Sequence, residues 1–249
     1  LSREQLLTEI SAMQPPDKTS DASAWLRFGD LNHDLGEYSV AEDAYRAALK
    51  TDPGSPEAEL RLGACLLAQN RSAEALQAFG NWAKSPRYGA TALAGTAAAY
   101  LMEGAPESLA QARSSVAAAC VTAPGDPIVQ TVRGLVALRS GDLEEAKLGL
   151  SEALRIAPDL YQAHAYQSSL FLLSARTDEA LDSAGTAVRL APDSALARQT
   201  LATAQFYAGD IASARATAEA ALEINPDSAA AQLVLAQTAA ATGDLDTAY

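Results

Sequence analysis

Histidine, cysteine and paired carboxylates are the side chains that carry acid–base, nucleophilic and metal chemistry, and this chain offers them in few convergent places. Its two histidines, His33 and His164, lie about four repeat lengths apart in the periodic chain described below, so they cannot meet on one metal ion in a stack where each unit touches only its neighbours. Cys65 and Cys120 are isolated and lack the CxxC spacing of a zinc or dithiol site. Both are expected to act as small buried hydrophobes, unlinked by a disulfide. No GxSxG, HExxH, GxxxxGK[ST] or GxGxxG stretch occurs. Asp52, Asp142, Asp193, Asp210, Asp227 and Asp244 fall at turns and helix starts, where capping accounts for them. The residues point away from catalysis: no enzyme, no cofactor and no metal site is expected.

The elements that would position any functional side chain follow from composition. The chain has 249 residues, of which 57 are alanine and 6% aromatic, so its elements must pack backbone close to backbone. With 18 Lys and Arg against 31 Asp and Glu the net charge is −13, which disfavours a nucleic-acid partner because a phosphate backbone needs a basic face. The most apolar stretch, from Ala90 to Met102, falls short of the roughly 18 apolar residues of a membrane span, so no membrane insertion is expected. Leu1 to Gln5 carry no signal-peptide features, and the abrupt ends lead us to expect a fragment of a longer protein. Fourteen Arg against four Lys, with the alanine load, suggest a bacterial source; the compartment is left open.

Prolines reveal the period. Pro53, Pro86, Pro124, Pro158, Pro192 and Pro226 are spaced 33, 38, 34, 34 and 34 residues apart. Ahead of most of them stands a triplet at a spacing of four and three: Ala41, Tyr45, Ala48; Ala146, Leu150, Ala153; Ala180, Ala184, Ala187; Ala214, Ala218, Ala221. That spacing puts each triplet on one helical face, and its small residues allow close helix contact. Gly36-Glu37, Gly141-Asp142, Gly209-Asp210 and Gly243-Asp244 supply a helix-ending glycine followed by a residue that favours the next N-terminus. Each unit therefore reads as helix, tight turn, helix.

These residues resemble the tetratricopeptide repeat family. The first unit carries Trp25, Phe28-Gly29, Gly36, Tyr38, Ala41, Tyr45, Ala48 and Pro53 at that family's spacing, with Asn32 in place of its usual tyrosine. Gly63, Gly95 and Gly134 keep the small helix-contact position in later units, and Ser168 and Ala202 occupy it in the fifth and sixth. The resemblance implies an all-α, right-handed superhelical solenoid of antiparallel helix hairpins. Its expected parts are an N-terminal capping helix and linker over 1–21, then six repeats over about 22–55, 56–87, 88–126, 127–160, 161–194 and 195–228, and a truncated seventh over 229–249. Two units depart from the pattern. The second has Asn70 at the turn, Trp82 in place of a small residue and a second helix expected to end at Ser85-Pro86. The third carries about five extra residues within 102–109, read either as a tolerated loop or as a contact loop; Trp82, if exposed, would be a binding hot spot.

By that resemblance, first helices line a concave groove that holds a peptide or partner segment. The lining residues carried over are Leu26 and Asp30 with His33 in the first unit, Leu60 and Leu67 in the second, Tyr100 in the third, and Leu135, Leu138 and Arg139 in the fourth. The fifth supplies Leu172 and Leu173, the sixth Phe206 and Tyr207. Leu26 and Asp30 stand where a chaperone-tail clamp would present basic and amide groups, so that clamp is disfavoured. The expected function is a noncatalytic scaffold that binds an apolar or amphipathic segment. Residues 1–60 hold 12 acids against five bases, which suggests a basic partner segment at that end or simply a solvated surface. A second reading, a self-assembling or regulatory module of a larger enzyme or envelope assembly protein, stays open because the seventh unit lacks its covering helix and would invite pairing with another copy.

Overall fold

The computed structural model describes residues 3–13, 16 and 21–243, all helix and connecting turn. The chain divides into two compact units, 1–145 and 146–249. In the first, α1 (Arg3–Met13) packs on α2 (Ala22–Asp34). There follow α3 (Tyr38–Thr51), α4 (Pro56–Ala68), α5 (Ser72–Gly80), α6 (Gly89–Glu103), α7 (Ser108–Thr122), α8 (Pro127–Ser140) and the start of α9 (Leu143–Ile156). The second unit takes over within α9 and continues through α10 (Tyr161–Leu173), α11 (Thr177–Leu190), α12 (Ala195–Tyr207), α13 (Ile211–Ile224) and α14 (Ala229–Thr242).

Within each unit, consecutive helices pack as antiparallel hairpins, and first helices also touch one another: α2 with α4, α4 with α6 and α6 with α8, then α10 with α12 and α12 with α14. Among the described residues of either unit, no such contact joins successive second helices. First helices therefore form one layer and second helices the other. The alanine triplets do the packing: Ala180, Ala184 and Ala187, and Ala214, Ala218 and Ala221, have no exposed surface. The absence of bulk lets the helices meet at short range, where many weak dispersion contacts accumulate.

Helix starts are fixed by side chains that accept from orphan backbone N–H groups. Asp21, Ser55, Asp126, Ser194, Asp210 and Ser228 do this at α2, α4, α8, α12, α13 and α14, and Asp142 accepts from Glu145 N at 3.1 Å. Asp193 and Asp227 are not the caps; the serines that follow them are. Asp52 turns back to Gly54 N at 3.3 Å within its own turn. Asp244 lies outside the described residues, as do residues 244–249 of the seventh unit and most of the linker over 14–20.

A second fastening recurs at every linker from the fourth repeat on. Gln130, Arg198 and Gln232 each donate from the side chain to the carbonyl of the proline six residues earlier, Pro124, Pro192 and Pro226, at 2.8–2.9 Å. The ring Nε2 of His164 lies 2.8 Å from the Pro158 carbonyl in the same way. Residue type varies, but each side chain can present an N–H, which ties the linker to the first turn of the next helix.

Two departures from the sequence expectation have local causes. Helix α5 stops at Gly80, well before Ser85, and turns occupy the gap through the Trp82 N to Phe79 O and Ser85 N to Trp82 O bonds. The extra residues of the third repeat form no projecting loop. They lengthen α6 and α7 to 15 residues each and leave a short turn in which Gly104 takes a left-handed conformation (φ 67°).

Candidate binding face

In the first unit the carried-over groove residues divide between packing and surface. Leu60 is buried with Leu66, Ala75, Phe79, Ala92 and Ala99, so its side chain belongs to the core and leaves the candidate face. Leu67 packs against that same cluster, Leu26 against Ala41, Tyr45 and Cys65, and Tyr100 against Ala97, Ala112, Val116 and Val136. Leu135 and Leu138 are half-buried and Arg139 is exposed. Asp30 accepts from the Tyr45 hydroxyl at 3.0 Å and pairs with Arg61 at 2.8 Å. Burial, then the nearby Asp30 charge, push the Tyr45 phenol far above its ordinary pKa. His33 stacks edge-on against Tyr38 with ring centres 5.3 Å apart.

Most acids of the first sixty residues have internal partners. Glu42, only 5% exposed, is paired with Arg46 and Arg71, the latter at 2.7 Å, and accepts from Gln69 at 2.8 Å. Burial alone would raise its pKa, but the Gln69 and Arg71 hydrogen bonds and the charges of Arg46 and Arg71 outweigh it and hold the carboxyl below the usual range. Glu57 accepts from the Tyr88 hydroxyl, and Glu59 from Trp82 Nε1 and Asn81. Asp21 caps α2 and Glu9 faces Arg27 at 3.6 Å. Trp82 is thus no exposed hot spot. It is half-buried against the Phe79 cluster and stacked edge-on with Tyr88, and these contacts hold the irregular segment that follows α5.

Cys65 is buried, with its thiol donating to the Tyr38 carbonyl at 3.2 Å, and burial pushes its pKa up to about 11; Cys120 is half-buried and both cysteines are free. A thiol so far from ionisation is a poor nucleophile. Among the described residues no group of three or more His, Cys, Asp or Glu side chains has the geometry to hold a metal ion, and no helix is long and apolar enough to cross a membrane.

The second unit presents a different surface. On α12 the stripe Gln199, Thr203, Phe206, Tyr207 recurs at helical spacing, and 34 residues away the same register gives Ala165, Ser169, Leu172, Leu173 on α10 and Leu233, Gln237, Ala240, Ala241 on α14. Leu172 and Phe206 lean on the hairpin cores, the first against Ala180, Ala184 and Ala204, the second among Ala202, Ala214, Ala218 and their neighbours. Beside them Leu173 and Tyr207 stand 60% and 61% exposed, and Leu233, two turns away in the Gln199 register of α14, is 58% exposed. Tyr207 meets Phe206 edge to face with ring centres 5.7 Å apart. Leu233 was not among the residues carried over from the resemblance, although its 34-residue offset from Gln199 marks the position.

Comparison with known proteins agrees with this architecture. The tetratricopeptide repeat family model matches residues 26–87 and 200–248. A thermophilic tetratricopeptide repeat protein of Thermus thermophilus is 27% identical, with a TM-score of 0.66 over 74% of this chain and 99% of that one. By sequence over the matched stretches and by hairpin fold over the rest, the chain is a tetratricopeptide repeat protein. The fold also resembles a chain of the APC/C Cut9–Hcn1 hetero-tetramer (15% identity, TM-score 0.67, 94% of this chain and 46% of that one). It is similar as well to human IFIT1, solved as a dimer with m7Gppp-AAAA (16% identity, TM-score 0.72, 98% of this chain and 69% of that one). No curated protein sequence matches the chain significantly. Tetratricopeptide repeat proteins bind protein partners, and no catalytic family is indicated for this chain.

Proposed function

We propose that this chain is a noncatalytic protein-interaction module that holds a partner segment against the first-helix layer of its second unit. The observation that carries this reading is the pair Leu173 and Tyr207, each about three-fifths exposed at the same register position of adjacent first helices and backed by Leu172 and Phe206. Exposed apolar side chains are ordinary singly, but grouped on packed neighbouring helices they mark contact surfaces. Each such anchor contributes roughly 1.5–3 kcal/mol when a ligand covers it fully. The capped RNA of the IFIT1 complex is a poor guide here, because a net charge of −13 opposes a phosphate backbone. A basic segment at the N-terminal end has weaker support than the amino-acid counts suggest, since Glu42, Glu57, Glu59 and Asp30 are already engaged.

The test is affinity capture with mass spectrometry from extracts of the cells that make the protein, comparing the native chain with Leu173→Glu/Tyr207→Glu. Both positions are exposed, so helicity by circular dichroism should be unchanged while specific partners are lost. Retention of every partner by the variant would refute the assignment. Light scattering on the same samples tests self-pairing.

A further inference from the structure

The second repeat departs from the others at two positions, and the two departures meet. The last member of the contact triplet is Ala48, Ala119, Ala153, Ala187 or Ala221 in the other complete repeats, each with no exposed surface. In the second repeat it is Trp82. The other position lies six residues after the linker proline, where Gln130, His164, Arg198 and Gln232 reach back to that proline's carbonyl. Six residues after Pro53 stands Glu59, whose carboxylate accepts hydrogen bonds and has no N–H to give. Glu59 turns instead to α5, accepting from Trp82 Nε1 and from Asn81 at 3.2 Å.

Bulk explains why the chain leaves the helix here. Residues 81–85 stand where the period places the end of a second helix, Ala83 and Lys84 are good helix formers, and Pro86 follows as the stop. A helix continued through Ser85 would carry the indole into a contact that elsewhere holds one methyl group, and overfilling of that kind is resisted. The helix stops at Gly80, and the chain goes on by three-residue steps, Trp82 N to Phe79 O and Ser85 N to Trp82 O. That path sets the indole against the Phe79 cluster and 6.2 Å from the ring of Tyr88, whose hydroxyl donates to Glu57. It also lays the Ala83 carbonyl on α6, where a Cβ at Gly89 would come 3.0 Å from the oxygen. We infer that Trp82 and Glu59 form a conformational lock: the indole excludes the regular end of α5, and the carboxylate, unable to fasten its own linker, secures the resulting strap over 81–88 between α4 and α6. Giving both positions the residues of a regular repeat should reverse it, with α5 running on to Ser85 and residue 59 donating to the Pro53 carbonyl.

The experiment compares the full native chain with Trp82→Ala, Glu59→Gln and the double variant by amide hydrogen exchange, read on peptides covering residues 81–88. Exchange over 81–85 should slow roughly tenfold or more in Trp82→Ala and in the double variant, as three-residue turns give way to helical hydrogen bonds. Glu59→Gln alone should exchange faster than the native chain over 81–88, because the strap loses its charged acceptor while the indole still bars the helix. Trp82→Phe keeps most of the bulk without the N–H, and it carries the test should Trp82→Ala lose its fold with the missing packing; its residues 81–85 should exchange at least as fast as the native ones. Slowing over 81–85 in Glu59→Gln or in Trp82→Phe would show that the hydrogen bond, not the bulk, ends α5, and would overturn the lock. A folded Trp82→Ala or double variant that exchanges there as fast as the native chain would overturn it as well.

Discussion

Gly95→Ala should destabilise the chain although alanine is the better helix former. Gly95 lies inside α6, where alanine is normally favoured over glycine by about 1 kcal/mol. A Cβ built there, however, falls 2.5 Å from both Cε1 and Cζ of Phe79, against the 3.5–4.0 Å at which carbon atoms rest. The ring would have to retreat by about 1 Å, and it cannot do so freely. Gly63 of α4 also crowds the ring, since its own Cβ would lie 2.8 Å from the same two atoms, and Phe79 is only 3% exposed. Overpacking of this kind costs about 1–3 kcal/mol, and a buried ring confined by two helices belongs at the upper end, so the net loss is about 2 kcal/mol. Gly185→Ala in α11 is the control, because nothing lies within 4 Å of its added Cβ; it should gain about 0.5–1 kcal/mol. Urea unfolding followed by Trp82 fluorescence in a Trp25→Phe background reads the right region, since Trp82 packs on the Phe79 cluster. Combining Gly95→Ala with Phe79→Leu should recover part of the loss caused by the clash. If Gly95→Ala alone raises the unfolding midpoint as Gly185→Ala does, the ring has room and the reasoning fails.

Ala175 predicts the opposite change. It is an exposed alanine with φ 56° at the turn between α10 and α11, where Gly36, Gly141 and Gly209 stand in other repeats. Left-handed backbone costs a non-glycine residue roughly 1–2 kcal/mol, so Ala175→Gly should raise the thermal midpoint, and an unchanged or lowered midpoint would show that the turn is unstrained. For Glu42 the native pKa lies below its unfolded value, so its stabilising contribution is complete above about pH 4.3, the ordinary glutamate value, and is lost as pH falls through the depressed native value. Glu42→Gln should therefore cost about 2 kcal/mol at neutral pH and less in acid. An acid-unfolding curve identical to that of the native chain would remove Glu42 from the account.

Most of the hairpin pattern was legible because it rests on local rules. Proline spacing, helix-ending glycines and triplets such as Ala180, Ala184, Ala187 depend on residues within one unit, and the structure places those triplets at the hairpin contacts. What was hidden depends on partners from another helix. The early stop of α5 is held by Glu59 of α4, which receives Trp82 and Asn81, so the tryptophan that looked available for binding is occupied. The left-handed Ala175 carries no glycine to announce it. Helical register put Leu60 and Tyr207 on one nominal face, but their exposures, 9% and 61%, depend on how neighbouring hairpins cover them, which register alone does not contain. The linker fastening was hidden by its variety: Gln130, His164, Arg198 and Gln232 share a donor and a spacing, not a residue type.

The distribution of charge separates what holds this chain together from what it would hold. Glu42, Glu57, Glu59 and Asp30 are tied to Arg71, Tyr88, Trp82 and Arg61, and Asp126 and Asp210 cap helices, so much of the acidity serves the stack itself. Exposed pairs such as Arg155 with Glu152 and Arg215 with Glu219 lie on second helices and contribute little to stability individually. Within the second unit, that assignment of charge to linkers and second helices is what leaves α10, α12 and α14 free of acids. Their helix-contact positions, Ser168 and Ala202, are kept small by packing, with Ser168 donating to the Ala180 carbonyl at 2.8 Å. Leu173, Tyr207 and Leu233 meet no comparable demand from the core. Changing them should therefore alter partner capture while the hairpins persist, and this independence is what allows a binding defect at these positions to be read as loss of contact and not of fold.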